Sequence, residues 1–435
     1  MALAPILLRR ARLPRWLLPH AWPATGSQPA LADLHLAEGR VQSVQPHLPT
    51  SKNTTNGWDL NGALVLPGLV DAHTHLDKAF TLPRMDTVQP GLLGAIEAMM
   101  VDRRGWTEAD VHERAGRALQ WAFDAGVTHL RTHCDWWEPE GQPLAWSVLR
   151  ELAHDWADRL TLERVSLIPL HLYADRDTAL ALAATVARSG PGALLGGFVH
   201  STNWDPQALR HLFEAAQRHV LNVDLHVDEE LNPAACGLAT TAALLQDLRF
   251  DGHVVCGHTC ALAAQDEANA LATLDAVAQA PITLVTLPIT NLLLQDATTG
   301  RTPRQRGITL VKEARERGIP VLVASDNVQD PFCPVGSFDP LEALAAGVTA
   351  AQLDAPFDRW SESLCRSDWL RRGPATLPLQ RGDTADLLVF TAADAWGFPS
   401  RSQPRVVLRG GRVTSGLVPA QWKPESLTQE APCLP

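Results

Sequence analysis

The 435-residue chain is 46% hydrophobic with a formal net charge of −11, and its Arg and Lys residues are scattered, which argues against a nucleic-acid footprint and for a small, uncharged or weakly charged substrate. Its seven cysteines form no C-x-x-C pair, which argues against a disulfide framework or structural zinc knuckle and for reduced thiols in a cytoplasm. No apolar run reaches the roughly 18 residues of a membrane span, and the apolar start Met1 to Leu8 precedes Arg9 and Arg10, the wrong order for a secretory signal.

Residues 1 to about 65 are rich in Pro and Arg, with strand-like pieces at Ile6-Leu8, Leu34-Leu36 and Val41-Val44. Short strands recur at Asp386-Phe390 and Val406-Leu408, where Gly410-Gly411 supplies a turn before Arg412-Val413. Neither end can bury a core alone. The two are expected to pair into a small β-sandwich domain, residues 1–65 plus 380–420, with residues 66–379 inserted between them and 421–435 left as a polar tail.

The middle alternates strand and helix patterns. Candidate strands are Leu66-His73, Gly126-His133, Val165-His171, Leu195-His200, Leu221-His226, His253-His258, Ile282-Leu287 and Val321-Ser325. Helical patterns fall between them at Glu108-Phe123, Thr178-Arg188, Pro206-Arg218, Cys236-Leu248, Ala263-Ala278 and Thr309-Arg317. Further helices are expected at Pro340-Ala346, Thr349-Leu353 and Trp360-Leu370. Alternating α/β units of this number make a (β/α)8 TIM-type barrel, whose active site lies where the strands end.

Polar residues gather at those ends. In Asp71-Ala-His-Thr-His75 the period-2 alternation of a strand puts Asp71, His73 and His75 on one face; alone, such a pair of histidines reads equally well as hydrogen-bonded core. The fifth strand adds His226 with Glu229 at its turn, the sixth adds His258, and the eighth adds Asp326. His73, His75, His226 and Asp326 can supply four ligands to one divalent metal ion, with a position left for water. His258 and Asp326 would then orient or deprotonate that water, and Glu229 would carry a proton to the substrate. Cys256 and Cys260 read as small core residues, and Lys78 as a surface or loop charge, with a substrate-facing role as the alternative.

From about Leu64 to Phe390 the chain resembles the cytosine deaminase branch of the amidohydrolase superfamily. The resemblance rests on His73-Thr-His-Leu-Asp77, Arg131-Thr-His133, His226-Val-Asp-Glu229, Gly257-His-Thr259, Arg306-Gly-Ile-Thr309 and Asp326-Asn-Val-Gln-Asp-Pro331. It implies a mononuclear site, zinc or iron ahead of manganese, with His73, His75, His226 and Asp326 as ligands, Glu229 as proton shuttle and His258 assisting the attacking water. It further implies a homo-oligomer acting on a small heterocycle, with ammonia leaving a ring carbon. Ring-opening relatives look for a bridging lysine after the fourth strand, where this chain has Phe198-Val-His-Ser-Thr202. Three positions depart from cytosine deaminases: His171 stands nearest the expected glutamine, Asn327 replaces a second aspartate, and Phe332 replaces a tryptophan. With His200 these are the candidate substrate-binding residues, and they point away from cytosine itself. An alkylamino-triazine hydrolase or a cyclic amide hydrolase is the alternative, and a catalytically silent scaffold would have no need of this residue set.

Overall fold

The structure is a computed structural model describing residues 6–48, 57–392, 394–400 and 404–423. Its centre is a (β/α)8 barrel. The strands β1 (Leu69–Thr74), β2 (Val127–Asp135), β3 (Thr161–Leu167), β4 (Ala193–Val199), β5 (Val223–Val227), β6 (Val254–His258), β7 (Ile282–Thr286) and β8 (Val321–Val323) pair in parallel in that order. They are almost wholly buried, as strands covered by helices on one side and barrel interior on the other must be. Closure of the ring is thin. Among the described residues one parallel bridge joins Thr74 and Asp326, with the bond from Asp326 N to His73 O at 2.9 Å and Ser325 N donating to Asp71 Oδ1 at 2.9 Å beside it.

The first strand is not the continuous Leu66-His73 expected from its apolar run. It breaks at Gly68 into Val65–Pro67, which pairs antiparallel with Leu387–Phe390, and β1 of the barrel. Pro67 brings no N–H to a ladder. Gly68 passes so near Thr128 that an added Cβ would lie 2.2 Å from its Cγ2. The third strand also ends early, at Leu167, because Pro169 starts a 3-10 turn over Leu170–Tyr173.

Several outer helices begin where sequence gives a capping residue, as with Asp205, whose Oδ1 accepts from Gln207 N and Ala208 N ahead of Pro206–Arg218. Three helices have no counterpart in the sequence reading: Leu92–Asp102, Leu144–Asp155 and Pro288–Leu294. Pro340–Ala351 is one helix rather than two pieces, and Trp360–Leu370 resolves into the 3-10 turns Trp360–Leu364 and Ser367–Leu370.

Both chain ends contribute to a pair of four-stranded sheets. One has the order Arg40–Pro46, Ala32–Ala37, Ile6–Ala11, Gly57–Asp59; the other has Arg412–Ser415, Arg405–Arg409, Leu387–Phe390, Val65–Pro67. They share a core that includes Leu8, Leu34, Val41, Leu387, Val406 and Leu408. Within the stretch expected to be tail, Trp422 is buried and stacks on Trp58 at 6.4 Å between centroids; residues 424–435 lie outside the described residues. Among the described residues no helix is long and apolar enough to cross a membrane.

Candidate active site

The carboxyl ends of β1, β5 and β8 bring four side chains to one point. His73 Nε2 and His75 Nε2 each lie 3.1 Å from His226 Nε2, and Asp326 Oδ1 lies 3.2 Å from His75 Nε2 and 3.6 Å from His73 Nε2. All four are buried. Asp326 sits at φ 62° and Asp228, just past β5, at φ 53°, left-handed backbone that non-glycine residues adopt only when the surroundings enforce it. Asp228 is held there because its carboxylate caps the helix Gly237–Asp247, accepting from Gly237 N and Leu238 N.

The donor set fits a divalent cation. Nitrogens at about 2.1 Å from one ion would stand roughly 3 to 3.5 Å from one another, close to the 3.1 Å that separates His226 Nε2 from each of the other two, and the three ligand atoms all lie within 4.8 Å of one another. Burial first, then neighbouring positive charge, holds all three imidazoles neutral, the form that ligates. Burial, with Asp330 close by, pushes Asp326 up to about 8, and neither of its oxygens has a well-formed hydrogen bond. A buried carboxylate left in that condition wants a cation.

Behind the cluster the barrel interior is polar but closed. The His133 ring lies 3.9 Å from that of His73, and its Nε2 is 3.6 Å from Asp224 Oδ1. Asp224 is paired with the fully buried guanidinium of Arg131 at 2.8 Å. In front, a cavity opens on the cluster, lined by His75, His226, Glu229 and His258 on its polar side. Glu229 Oε1 is 3.3 Å from His258 Nδ1, and Asn291 Nδ2 is 3.0 Å from the same nitrogen. His258 Nε2 has no partner. Burial raises the Glu229 carboxyl well above its ordinary value, with Asp326 adding to the effect, and burial lowers His258 to about 3. Burial thus favours the uncharged form of both groups.

The four expected substrate-binding residues divide. Asn327 and Phe332 line the cavity. His171 does not: the turn that follows Pro169 leaves its side chain exposed, and Leu167 and Pro169 form that part of the wall. His200 is turned aside as well, bonded through Nδ1 to Thr202 Oγ1 at 2.9 Å and stacked on Phe198, which takes the place in the lining. Lys78 is not at the surface but takes the alternative place, facing the cavity. It is 4% exposed and lines the cavity, its Nζ 2.9 Å from Asp135 Oδ1. Asp135 was missed, though it shares the period-2 face of Arg131 and His133 on β2, which is the signal that finds it.

A family model described as "Amidohydrolase family" matches residues 57–146 and 140–413. A pterin deaminase from Rhizobium rhizogenes (strain K84) is 38% identical over 392 residues, covering 89% of this chain and 89% of that protein. N-isopropylammelide isopropyl amidohydrolase from Pseudomonas sp. (strain ADP) is 21% identical over 374 residues, 82% of this chain and 87% of that protein. Among solved structures, 5-methylcytosine deaminase from Klebsiella pneumoniae liganded with 5-fluorocytosine superposes with a TM-score of 0.78 at 22% identity, over 95% of this chain and 98% of that one. This last likeness is one of fold.

Proposed function

The chain belongs to the amidohydrolase family, and we propose that it is a hydrolytic deaminase of an amino-substituted nitrogen heterocycle, with pterins the first ring to test. The observation that carries this reading is the contact between Glu229 and His258 in the wall of a cavity onto which His75 and His226 open. The pterin deaminase similar to this chain supports the choice of ring. Apolar side chains on the other walls, Ile96, Met99, Phe198 and Phe332 among them, give a flat heterocycle faces to lie against.

His73, His75, His226 and Asp326 would hold a divalent ion, zinc or iron ahead of manganese for an imidazole-rich set with one carboxylate, and such an ion lowers the pKa of a water toward neutrality. Glu229, protonated, donates to the ring nitrogen beside the amino-bearing carbon and so makes that carbon more electrophilic. His258, whose Nδ1 accepts from Asn291 Nδ2, carries its ring hydrogen on Nε2 and donates from there to orient the attacking water, whose proton Asp326 takes. Glu229, once ionised, can take up a proton again and pass it to the departing amine. Water enters, ammonia leaves, and an oxo group replaces the amino group. The cavity wall at the end of β4 carries Phe198 and no lysine, which disfavours a lysine-bridged pair of metals and the ring opening that goes with it.

The test is a panel of amino- and alkylamino-substituted pterins, pyrimidines, purines and triazines, read by mass spectrometry on metal-analysed protein. Loss of ammonia or an amine with gain of oxygen is expected. Uptake of water with the amine retained would overturn the reading in favour of a cyclic amide hydrolase. In the same assay Glu229→Gln should keep its metal and lose turnover by roughly 10²- to 10⁴-fold.

A further inference from the structure

Leu167 and Pro169 stand where the sequence put His171 and offer no side-chain amide to a ring edge, and the amide of Asn327 elsewhere in the lining donates through Nδ2 to Asp330 Oδ2 at 2.6 Å. Another pair supplies a donor and an acceptor side by side. Lys78 Nζ and Asp135 Oδ1 are 2.9 Å apart, both side chains are buried, and both line the cavity. We propose that Lys78 and Asp135 together read the lactam edge of the substrate, the ammonium donating to a ring carbonyl and the carboxylate accepting from the adjacent ring N–H. This rests on the deaminase reading and narrows its substrate class to amino-oxo heterocycles.

The pair is built to keep its position. Asp135 N donates to Asp77 Oδ2 at 2.9 Å, which fixes the backbone from which the carboxylate projects. Thr81 Oγ1 donates to Lys78 O at 2.7 Å, and Arg114 Nη1 holds the carbonyls of Asp77 and Ala79 on either side of Lys78, at 2.6 and 3.0 Å. The Lys78 ammonium also lies over the Phe332 ring, 4.7 Å from its centroid. Lys78 thus has an anion on one side and an aromatic face on another.

Capacity remains on both groups. An ammonium has three donors and a carboxylate two oxygens with about four acceptor sites, of which their mutual contact uses one each. Trp137, two residues beyond Asp135, lines the same cavity and its indole N–H is buried without a partner, a further donor left to a ligand. As an ion pair the two charges sum to zero, which suits a neutral ring. Their pattern, donor beside acceptor, matches C=O beside N–H. It opposes a ring in which the same edge reads C–NH2 beside an unprotonated nitrogen, where both groups meet their own kind.

The experiment compares kcat/KM for 2-amino-4-oxopteridine and 2,4-diaminopteridine on the metal-loaded protein, then on Lys78→Met and Asp135→Asn. A site built for one hydrogen-bond pattern rejects the wrong one by orders of magnitude, so the wild type should favour the amino-oxo ring by at least roughly 10³-fold. Each variant should lose most of that ratio while keeping its metal, whatever stability the broken pair costs. A structural ion pair would instead slow both rings alike. Equal wild-type rates on the two rings overturn the inference without any variant, which covers the case in which either substitution prevents folding. An unchanged ratio in both folded variants overturns it too. Deamination of some other ring with no preference for a lactam edge would leave the deaminase reading standing and remove this one, whereas release of no amine from any compound would remove both.

Discussion

His73 is aimed by an absence. On β6, a Cβ added to Gly257 would lie 2.8 Å from His73 Cε1 and 2.9 Å from its Nδ1, closer than real side chains come, so only glycine lets the imidazole settle where its Nε2 meets that of His226. Gly257→Ala should therefore act as a metal-site mutation from outside the ligand set, lowering metal content or kcat/KM by roughly 10- to 100-fold, as loss of an orienting neighbour does. Metal analysis of the purified variant decides the matter, and a full complement of metal with undiminished turnover would show that His73 has room to move. Histidines and carboxylates at strand ends were legible in the sequence because alternation along a strand fixes which residues share a face. The substrate shell was not, since it depends on where loops turn. Pro169 ends β3 early and leaves His171 in solvent, and Lys78 sits beyond the end of β1, where no periodicity reports its direction.

The strands are tied to one another inside the barrel by charge. Arg131 on β2 reaches Glu163 on β3, with Nη2 to Oε2 at 2.6 Å, and Asp224 on β5 at 2.8 Å. Burial alone would raise Glu163, but Arg131 and His129 prevail and hold it well below the usual carboxylate range. A carboxyl depressed in the folded state adds stability that is complete above its unfolded pKa, about 4.3, and is lost as pH falls through the folded value. Glu163→Gln should thus cost roughly 1 to 3 kcal/mol at pH 7, with the gap to wild type beginning to close only below about pH 4. Denaturant midpoints across that range are the measurement, and a gap that ignores pH would mean the carboxylate's charge is not what matters. At this scale the eight strands were readable from apolar runs punctuated by turns. The helix Leu92–Asp102 was not: its apolar residues spread around much of its surface, with Ala95 and Met99 buried while Leu93 and Val101 are exposed, which blurs the one-sided pattern that marks an amphipathic helix.

For the molecule as a whole, the ligand set straddles the weakest joint of the barrel. His73 and His75 lie on one side of the β1–β8 closure and Asp326 on the other, with the Thr74–Asp326 bridge and its neighbouring bonds between them. An ion held there would staple the ring. Chelation is expected to lower the thermal midpoint by several degrees, since a ligand present at about 100 times its Kd adds about 2.7 kcal/mol to the folded state, and metal addition should restore it. Identical midpoints with and without chelator would show that the closure stands by itself. The two sheets shared by the chain ends were foreseeable because neither end carries enough apolar residues to fold alone. The break at Gly68, which divides one apolar run between sandwich and barrel, was hidden by the continuity of that run.

The same closure sets a clock on synthesis. Asp71 and Ser325 are separated by 254 positions, and Val65 waits longer still for Val389. At ribosomal rates of about 5 to 20 residues per second, β1 stands with one edge unpaired for roughly 10 to 50 s before β8 leaves the tunnel. Through that interval His73 and His75 exist without Asp326. The metal centre is therefore among the last features of the nascent protein to take shape, and a bare parallel strand edge is what the cell must shield until it does.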